Sequence, residues 1–588
     1  MPAGKRISAR HATANWARRG VIWAILPFIA AAAMAAAQQT APSPAQPTPP
    51  AGAATPSPSQ GNESTRPANH ITPEQAKKLF ALVDELIKFS SDETGLPIKS
   101  AVKHQLTTRA AVEAYLDEKF KEDEGAKRLE RDEIVLKKFG LIDQDFDLKP
   151  FLMALLKEQI EGYYDSKTKT MYLLDWVDPE EQKPVMAHEL THALQDQHSD
   201  LDKWDDQTPN DVSHDAAGDH DNLAKDEMDT ARDAVAEGQA TAVMFDYMLK
   251  PMGKSLIKDP EVLDVIKSQM TSTDNSPMMA RAPLLLSESM LFPYREGLSF
   301  EQDVWMDQGQ AAAFAGTLDR PPTSSWEIIN PRVYEQKRIP AIPLLPDIHP
   351  LVDTLYRPYD IGQIGELDVH IITELFGGDN AARDLTPAWD GGLYWAGQLR
   401  SATTPAEQDS TKSLALFYLS VWRNSDSAQV FARLYANNLA RKYSSVQLQK
   451  AANPSAPADL GSVEQVYSTN EGPVVITTRG KLVFVSESFP LPLARKLTAL
   501  ILDAQGGGAM RMARTSMQPG APSLRRFSAG NAAASVGSHE PASGSSAQRA
   551  FSAPDQPGSA LSADLVHFLE SCGVMKAAVD AELRFGQK

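Results

Sequence analysis

The chain has 588 residues, enough for two or three domains, and its 42% apolar and 23% charged content is that of an ordinary globular protein. Its formal net charge of −18 would be repelled by phosphate backbones, which argues against DNA or RNA as a partner. The single cysteine, Cys572, excludes an internal disulfide and any multi-cysteine zinc site, so a bound metal must be held by His, Asp and Glu.

Residues 1–37 read as an export signal. Lys5, Arg6, Arg10, Arg18 and Arg19 precede an apolar run from Val21 to Ala37, and Ala35-Ala36-Ala37 offers a small-residue cleavage site. The run is short for a span, alanine-rich and interrupted by Pro27, which favours cleavage; left uncleaved, it would tether the chain to a membrane. The expected location is therefore periplasmic or extracellular. Residues 38–70 are rich in Pro, Ala, Ser and Thr and predict a disordered spacer.

Order is expected from Ile71. Thr72-Pro73-Glu74-Gln75 is a helix start with a capping box, followed by the stripe Leu79, Val83, Leu86 and Ile87. Further helices are expected over 108–124 and through Ile134. The period then changes. Tyr163-Tyr164 and Met171 to Leu174 flank the polar turn 165–169 and predict a hairpin. A helix follows, starting near Asp178-Pro179 or at Pro184. Residues 201–229 are Asp-rich and read as a solvated surface loop, without the spacing of a calcium loop. Residues 231–249 are helical again.

After residue 346 the pattern predicts a second, smaller α+β unit over 346–503. Its elements are helices at 366–376, 426–443 and 491–503, a strand at 413–422, and a hairpin of 474–478 with 482–486. Trp389-Asp390-Gly391-Gly392 reads as a turn with an anchoring aromatic. Residues 504–560 are Gly-, Ser-, Ala- and Pro-rich and expected to be disordered; 561–588 would form a short helical tail, with Cys572 as a small buried hydrophobe.

The chemistry concentrates at His188-Glu189-Leu190-Thr191-His192, an H-E-x-x-H sequence. Two histidines four apart share one helix face and can converge on one zinc ion, with Glu189 beside them as general base toward a water molecule. A catalytic zinc wants a third protein ligand. His198 stands six residues after His192, but Gln195 occupies the place where a glycine would turn the chain back. Glu237 is the other candidate: a carboxylate in the apolar, small-residue helix Ala234 to Thr241 is costly to bury unless paired or metal-bound. Asp233, one turn earlier, could orient a histidine. Tyr294, Arg295 and His220 are candidates for stabilising an oxyanion.

The stretch from Tyr163 to Tyr247 resembles gluzincin-type zinc metallopeptidases, the thermolysin-like branch of the zincins. His188 to His198, Glu237-Gly238, Phe292 to Gly297 and Pro321-Pro322-Thr323-Ser324 more closely resemble a group of little-characterised secreted bacterial proteins classed as metallopeptidases. The resemblance implies a zincin-like α+β domain over 71–345, one catalytic Zn2+ on His188, His192 and Glu237, and Glu189 as base. It also implies that the strand Met171 to Leu174 is the sheet edge that pairs with an extended peptide. Two features depart from the thermolysin-like pattern: Thr241 stands where that pattern has Asp, and the His192–Glu237 separation is longer.

The function expected is that of a secreted zinc metallopeptidase acting on peptide or protein substrates. The alternative from another class is a secreted or envelope-associated binding protein with a structural zinc; Glu189, which a purely structural site does not need, favours the enzyme. A zinc hydrolase acting on a non-peptide substrate is a third reading.

Overall fold

The computed structural model describes residues 70–507 apart from 122, 161, 205–206, 208, 210–211, 271–275, 339–340 and 450–461. The export signal, most of the Pro-rich spacer, nearly all of the 504–560 segment and the tail with Cys572 lie outside the described residues.

The chain is α+β, with two sheets among the described residues. Its helices of eight residues or more are α1 Pro73–Phe80, α2 Val83–Thr94, α3 Arg109–Lys121, α4 Asp123–Phe139, α5 Leu148–Gln159, α6 Gln182–Ser199, α7 Ala216–Lys225, α8 Met228–Leu249, α9 Glu261–Met270, α10 Leu284–Gln308, α11 Glu366–Gly377, α12 Ser425–Asn437 and α13 Leu491–Ala504. The strands are β1 Lys103–Thr107, β2 Gly162–Asp165, β3 Thr170–Leu174, β4 Tyr356–Gln363, β5 Trp389–Leu399, β6 Leu414–Trp422, β7 Val446–Leu448, β8 Ser462–Thr469, β9 Gly472–Arg479 and β10 Leu482–Glu487. None of the described helices is long and apolar enough to cross a membrane.

The capping box at Thr72 forms as its sequence dictates: the Thr72 hydroxyl accepts from Gln75 N at 3.3 Å, and Gln75 Oε1 accepts from Thr72 N at 2.9 Å. The 163–174 hairpin also forms, as β2 antiparallel to β3. The small sheet has the order β1-β3-β2. This corrects the expectation for Met171 to Leu174. That strand is central, because β1 runs parallel along its other side, pairing Lys103 with Thr170 through Thr107 with Leu174. The edge beside the motif helix is β2. Strand β1 escapes a sequence reading because Lys103, His104 and Gln105 are all exposed, so it shows no apolar alternation.

The Asp-rich run also differs from expectation. It contains a short helix, Leu201–Trp204, and then α7. Asp215 caps α7 by accepting from Ala217 N at 3.0 Å and Gly218 N at 2.9 Å, and Leu223 is fully buried beneath it. Aspartates that read as loop solvation are in part helix caps.

The second sheet is antiparallel, in the order β4-β5-β6-β10-β9-β8-β7. It includes the expected 474–486 hairpin as β9 and β10. Trp389-Asp390-Gly391-Gly392 is not a turn but the irregular start of β5, where the register against β6 shifts between Trp389 and Gly391. Trp389 is buried, so its anchoring role survives. Strand β6 is apolar but for Ser420, because both its faces are covered. Leu416 and Tyr418 join the core that includes α11 and α12, whereas Phe417 and Leu419 pack in the cluster with Leu497 and Ile501 of α13. The former cluster runs continuously from Ile71 to Val485, across residue 346, so the sheet and the helices around the motif share one apolar interior.

Candidate metal centre

Helix α6 is buried along almost its whole length, from Pro184 to Asp196. It is held from several sides. Ser90 of α2 donates to the Ala187 carbonyl at 3.2 Å, and Tyr164 of β2 donates to Asp196 at 2.7 Å. Strand β2 lies close over the helix: a Cβ at Gly162 would stand 2.9 Å from Val185 Cγ1 and 3.8 Å from Glu189 Cγ.

Helix α8 is brought to α6 by an unusually close crossing with α10. A Cβ at Gly238 would fall 2.3 Å from the carbonyl carbon of Gly297, and one at Gly297 would fall 2.1 Å from the Ala234 carbonyl oxygen. Only glycine permits such backbone contact. The residues next to these glycines in the packing, Glu237 on α8 and Tyr294 on α10, thereby meet the histidines of α6.

His188, His192 and Glu237 form a buried group that could hold a metal ion. Their facing atoms make a near-equilateral triangle. His188 Nε2 lies 3.0 Å from His192 Nε2 and 3.2 Å from Glu237 Oε2, which is 3.5 Å from His192 Nε2. Ligand atoms about 2.0–2.1 Å from a tetrahedral zinc stand roughly 3.3 Å apart, so the donor set fits the ion. The rings stand edge to face at 85°, with centroids 4.6 Å apart. His188 Nδ1 and Glu237 Oε1 are buried without hydrogen-bond partners. Burial works against the Glu237 charge, but the two imidazoles outweigh it and its pKa falls to about 2.

Glu189 points beside this triangle. Burial, reinforced by the Glu237 charge, pushes its pKa up to about 8 against the opposing influence of His188 and a hydrogen bond from the Tyr164 main chain. Tyr294 stacks near His188 at 6.5 Å, and its hydroxyl lies within hydrogen-bonding reach of Glu237; burial and then the Glu237 and Glu189 charges hold its proton on.

Gln195 stands where a glycine would be needed to turn the chain back toward the motif. Its side chain fixes His192: Oε1 meets His192 Nδ1 at 2.8 Å, while Nε2 donates to the Ala236 carbonyl and to Gln239 Oε1, each at 2.9 Å. Gln239 in turn donates to the Ala313 and Phe314 carbonyls at 3.1 and 3.0 Å and to Thr317 at 2.8 Å. Thr317 reaches the fully buried Glu301, whose carboxyl burial drives well above its usual pKa. A relay of this kind sets the tautomer and orientation of a ligand imidazole. Its one sequence signal is the one-turn spacing of Gln195 from His192.

The remaining candidates separate cleanly. His198 is turned out of the group and meets Asp319 at 3.0 Å. Asp233 lies one turn before Glu237 and lines an adjoining cavity. Thr241 is buried with its hydroxyl unpartnered. Of the three oxyanion candidates, Tyr294 alone stands at the centre. Arg295 pairs with Glu288 and Glu296 at 2.7 and 3.0 Å, and His220 meets the Leu345 carbonyl at 2.7 Å.

No family model matches the chain, and neither does any curated protein or solved structure.

Proposed function

We propose that the chain is an exported zinc-dependent metallopeptidase of zincin-like architecture. The observation that carries this reading is the convergence of His188, His192 and Glu237 at 3.0–3.5 Å with Glu189 on the same helix turn. Zinc is the ion that suits two imidazoles and a carboxylate in tetrahedral array. Bound there, it would supply Lewis acidity and make water acidic enough to be a nucleophile at neutral pH.

The chain's own residues do the rest. Glu189 takes the proton of the attacking water and returns it to the leaving amine; its raised affinity for a proton suits it to both steps. Gln195 keeps the far nitrogen of His192 engaged, so that the near one faces the ion. Tyr294 keeps its proton and offers a hydroxyl to negative charge that develops beside Glu237. The free side of β2, beside Glu189, is the edge along which an extended peptide would align.

One observation favours a second reading, a binding protein with a structural zinc: His188, Glu189, His192 and Glu237 are each at most 2% exposed. The test is metal content together with peptide hydrolysis for wild type and Glu189→Gln. One zinc per chain, cleavage by wild type, and loss of cleavage with zinc retained in Glu189→Gln are expected. Zinc bound equally by both proteins, with no hydrolysis by either, would replace the peptidase with the binding protein.

A further inference from the structure

We propose that the cavity beside the metal centre binds substrate chains by a Lys or Arg side chain three residues from the scissile bond. This rests on the peptidase reading and names the substrate class of that site.

The cavity has a volume of about 490 Å³, and Tyr294 and Asp233 form its end nearest the metal ligands. From there it follows two helices. Tyr294, Met290 and Leu286 line it at four-residue intervals along α10, and Asp233, Thr230 and Glu227 line it along the start of α8. The opposite wall comes from β4 and α11, with Asp360, Asp368, Ile371 and Ile372. Carboxyl groups thus face the cavity from several elements, and among the described residues no Lys, Arg or His lines it.

Two of these carboxyls line the cavity without a cationic partner among the described residues. Glu227 is 7% exposed and accepts from Ser325, whose hydroxyl donates at 2.5 Å. Asp368 accepts from Gly365 N at 2.8 Å. Neither is ion-paired among the described residues. Burial, followed by the charges of Asp368 and Asp226, raises Glu227 to about 8, and burial raises Asp368 to about 6. An ammonium or guanidinium group placed beside them offsets the cost of burying them in charged form. The aliphatic walls suit the stem that carries such a head group.

The spacing sets the position. Ten helical residues from Glu227 to Glu237 rise roughly 15 Å. An extended peptide advances about 3.3 Å per residue, and a lysine arm adds about 6 Å. A basic side chain three residues from the scissile bond therefore spans about 16 Å and reaches Glu227.

The test is calorimetric titration of zinc-loaded Glu189→Gln, which binds without turnover. The probes are acetylated alanine hexapeptides carrying one Lys, norleucine or Glu at each position in turn. The Lys peptide should bind at least ten-fold tighter than its norleucine counterpart at one position. Glu227→Gln/Asp368→Asn should bring that ratio close to one. Retained norleucine-peptide binding reports that the variant is folded; where it is lost, the ratio in the parent protein decides. Equal binding of Lys and norleucine peptides, absence of binding by any peptide, or a preference that survives the double substitution would overturn the proposal. Selective Lys binding without hydrolysis by zinc-loaded wild type would instead keep the cavity assignment and remove the peptidase reading.

Discussion

Two of the buried clusters of ionisable side chains among the described residues are built on opposite plans. In one, Lys138 donates to Glu471 at 2.8 Å, to Ser488 at 2.7 Å and to the Thr411 carbonyl at 3.2 Å. Beside it, Lys442 donates to Glu487 at 2.6 Å and to Tyr435 at 2.9 Å, and the hydroxyls of Tyr435 and Tyr443 also donate to Glu487. Each cation there meets an anion, and the hydroxyls fill the remaining acceptor sites. In the other, His188, His192 and Glu237 aim electron pairs at one point and leave His188 Nδ1 and Glu237 Oε1 unpartnered. The first cluster is complete within the chain. The second is a group that a metal ion from outside could complete, and that difference separates a structural lock from a candidate binding site.

The largest effect should come from breaking the lock. Glu487→Ala strands Lys442, which is 7% exposed, and removes the acceptor of two tyrosines. Leaving a buried charge uncompensated costs about 3–5 kcal/mol. Denaturant unfolding should show that loss whether or not zinc is present, because these residues join α4 to the second sheet and do not touch the metal group. A loss that zinc repaired would mean the two clusters are not independent.

The metal cluster should behave in the reverse way. Wild type is expected to gain stability with zinc as mass action requires, about 2.7 kcal/mol when free zinc is 100-fold above its dissociation constant. Glu237→Ala removes one corner of the triangle and should show neither zinc retention after dialysis nor a zinc-dependent melting shift. Differential scanning calorimetry over a zinc series checks both. A variant that melts in parallel with wild type across the series would move the ion elsewhere.

The same contrast explains what the sequence made legible. The motif helix is read directly, since His188 and His192 are fixed by one helix turn, and Glu237 betrays itself as a lone carboxylate among alanines. The hairpin and α1 follow from local turn and capping chemistry. Other features are non-local. Strand β1 is polar, and only its pairing with β3 makes it a strand. The close crossing of α8 and α10 depends on Gly238 meeting Gly297, a contact between residues far apart in the chain. Strands β4, β7 and β8 likewise acquire their identity from neighbours in the sheet. Asp215, inside an Asp-rich run, looks like loop composition until its capping bonds to α7 are seen.

Gln195 sharpens the comparison on a smaller scale, because it joins the incomplete cluster to a complete hydrogen-bonded relay. It touches His192 on one side and Gln239 on the other, and Gln239 is anchored by carbonyls and by Thr317. Gln195→Leu retains bulk but withdraws the group at His192 Nδ1 and leaves the Ala236 carbonyl without that donor. Loss of such an orienting partner typically weakens metal binding about 10–100-fold. Competition against a chromophoric zinc chelator should measure a weakening in this range, with the ion still bound at saturating zinc. His198→Ala is the control: His198 meets Asp319, away from the triangle, so its removal should leave zinc affinity unchanged. If His198→Ala weakened zinc as much as Gln195→Leu does, His198 rather than the relay would control the ion, and the assignment of Glu237 as third ligand would fall with it.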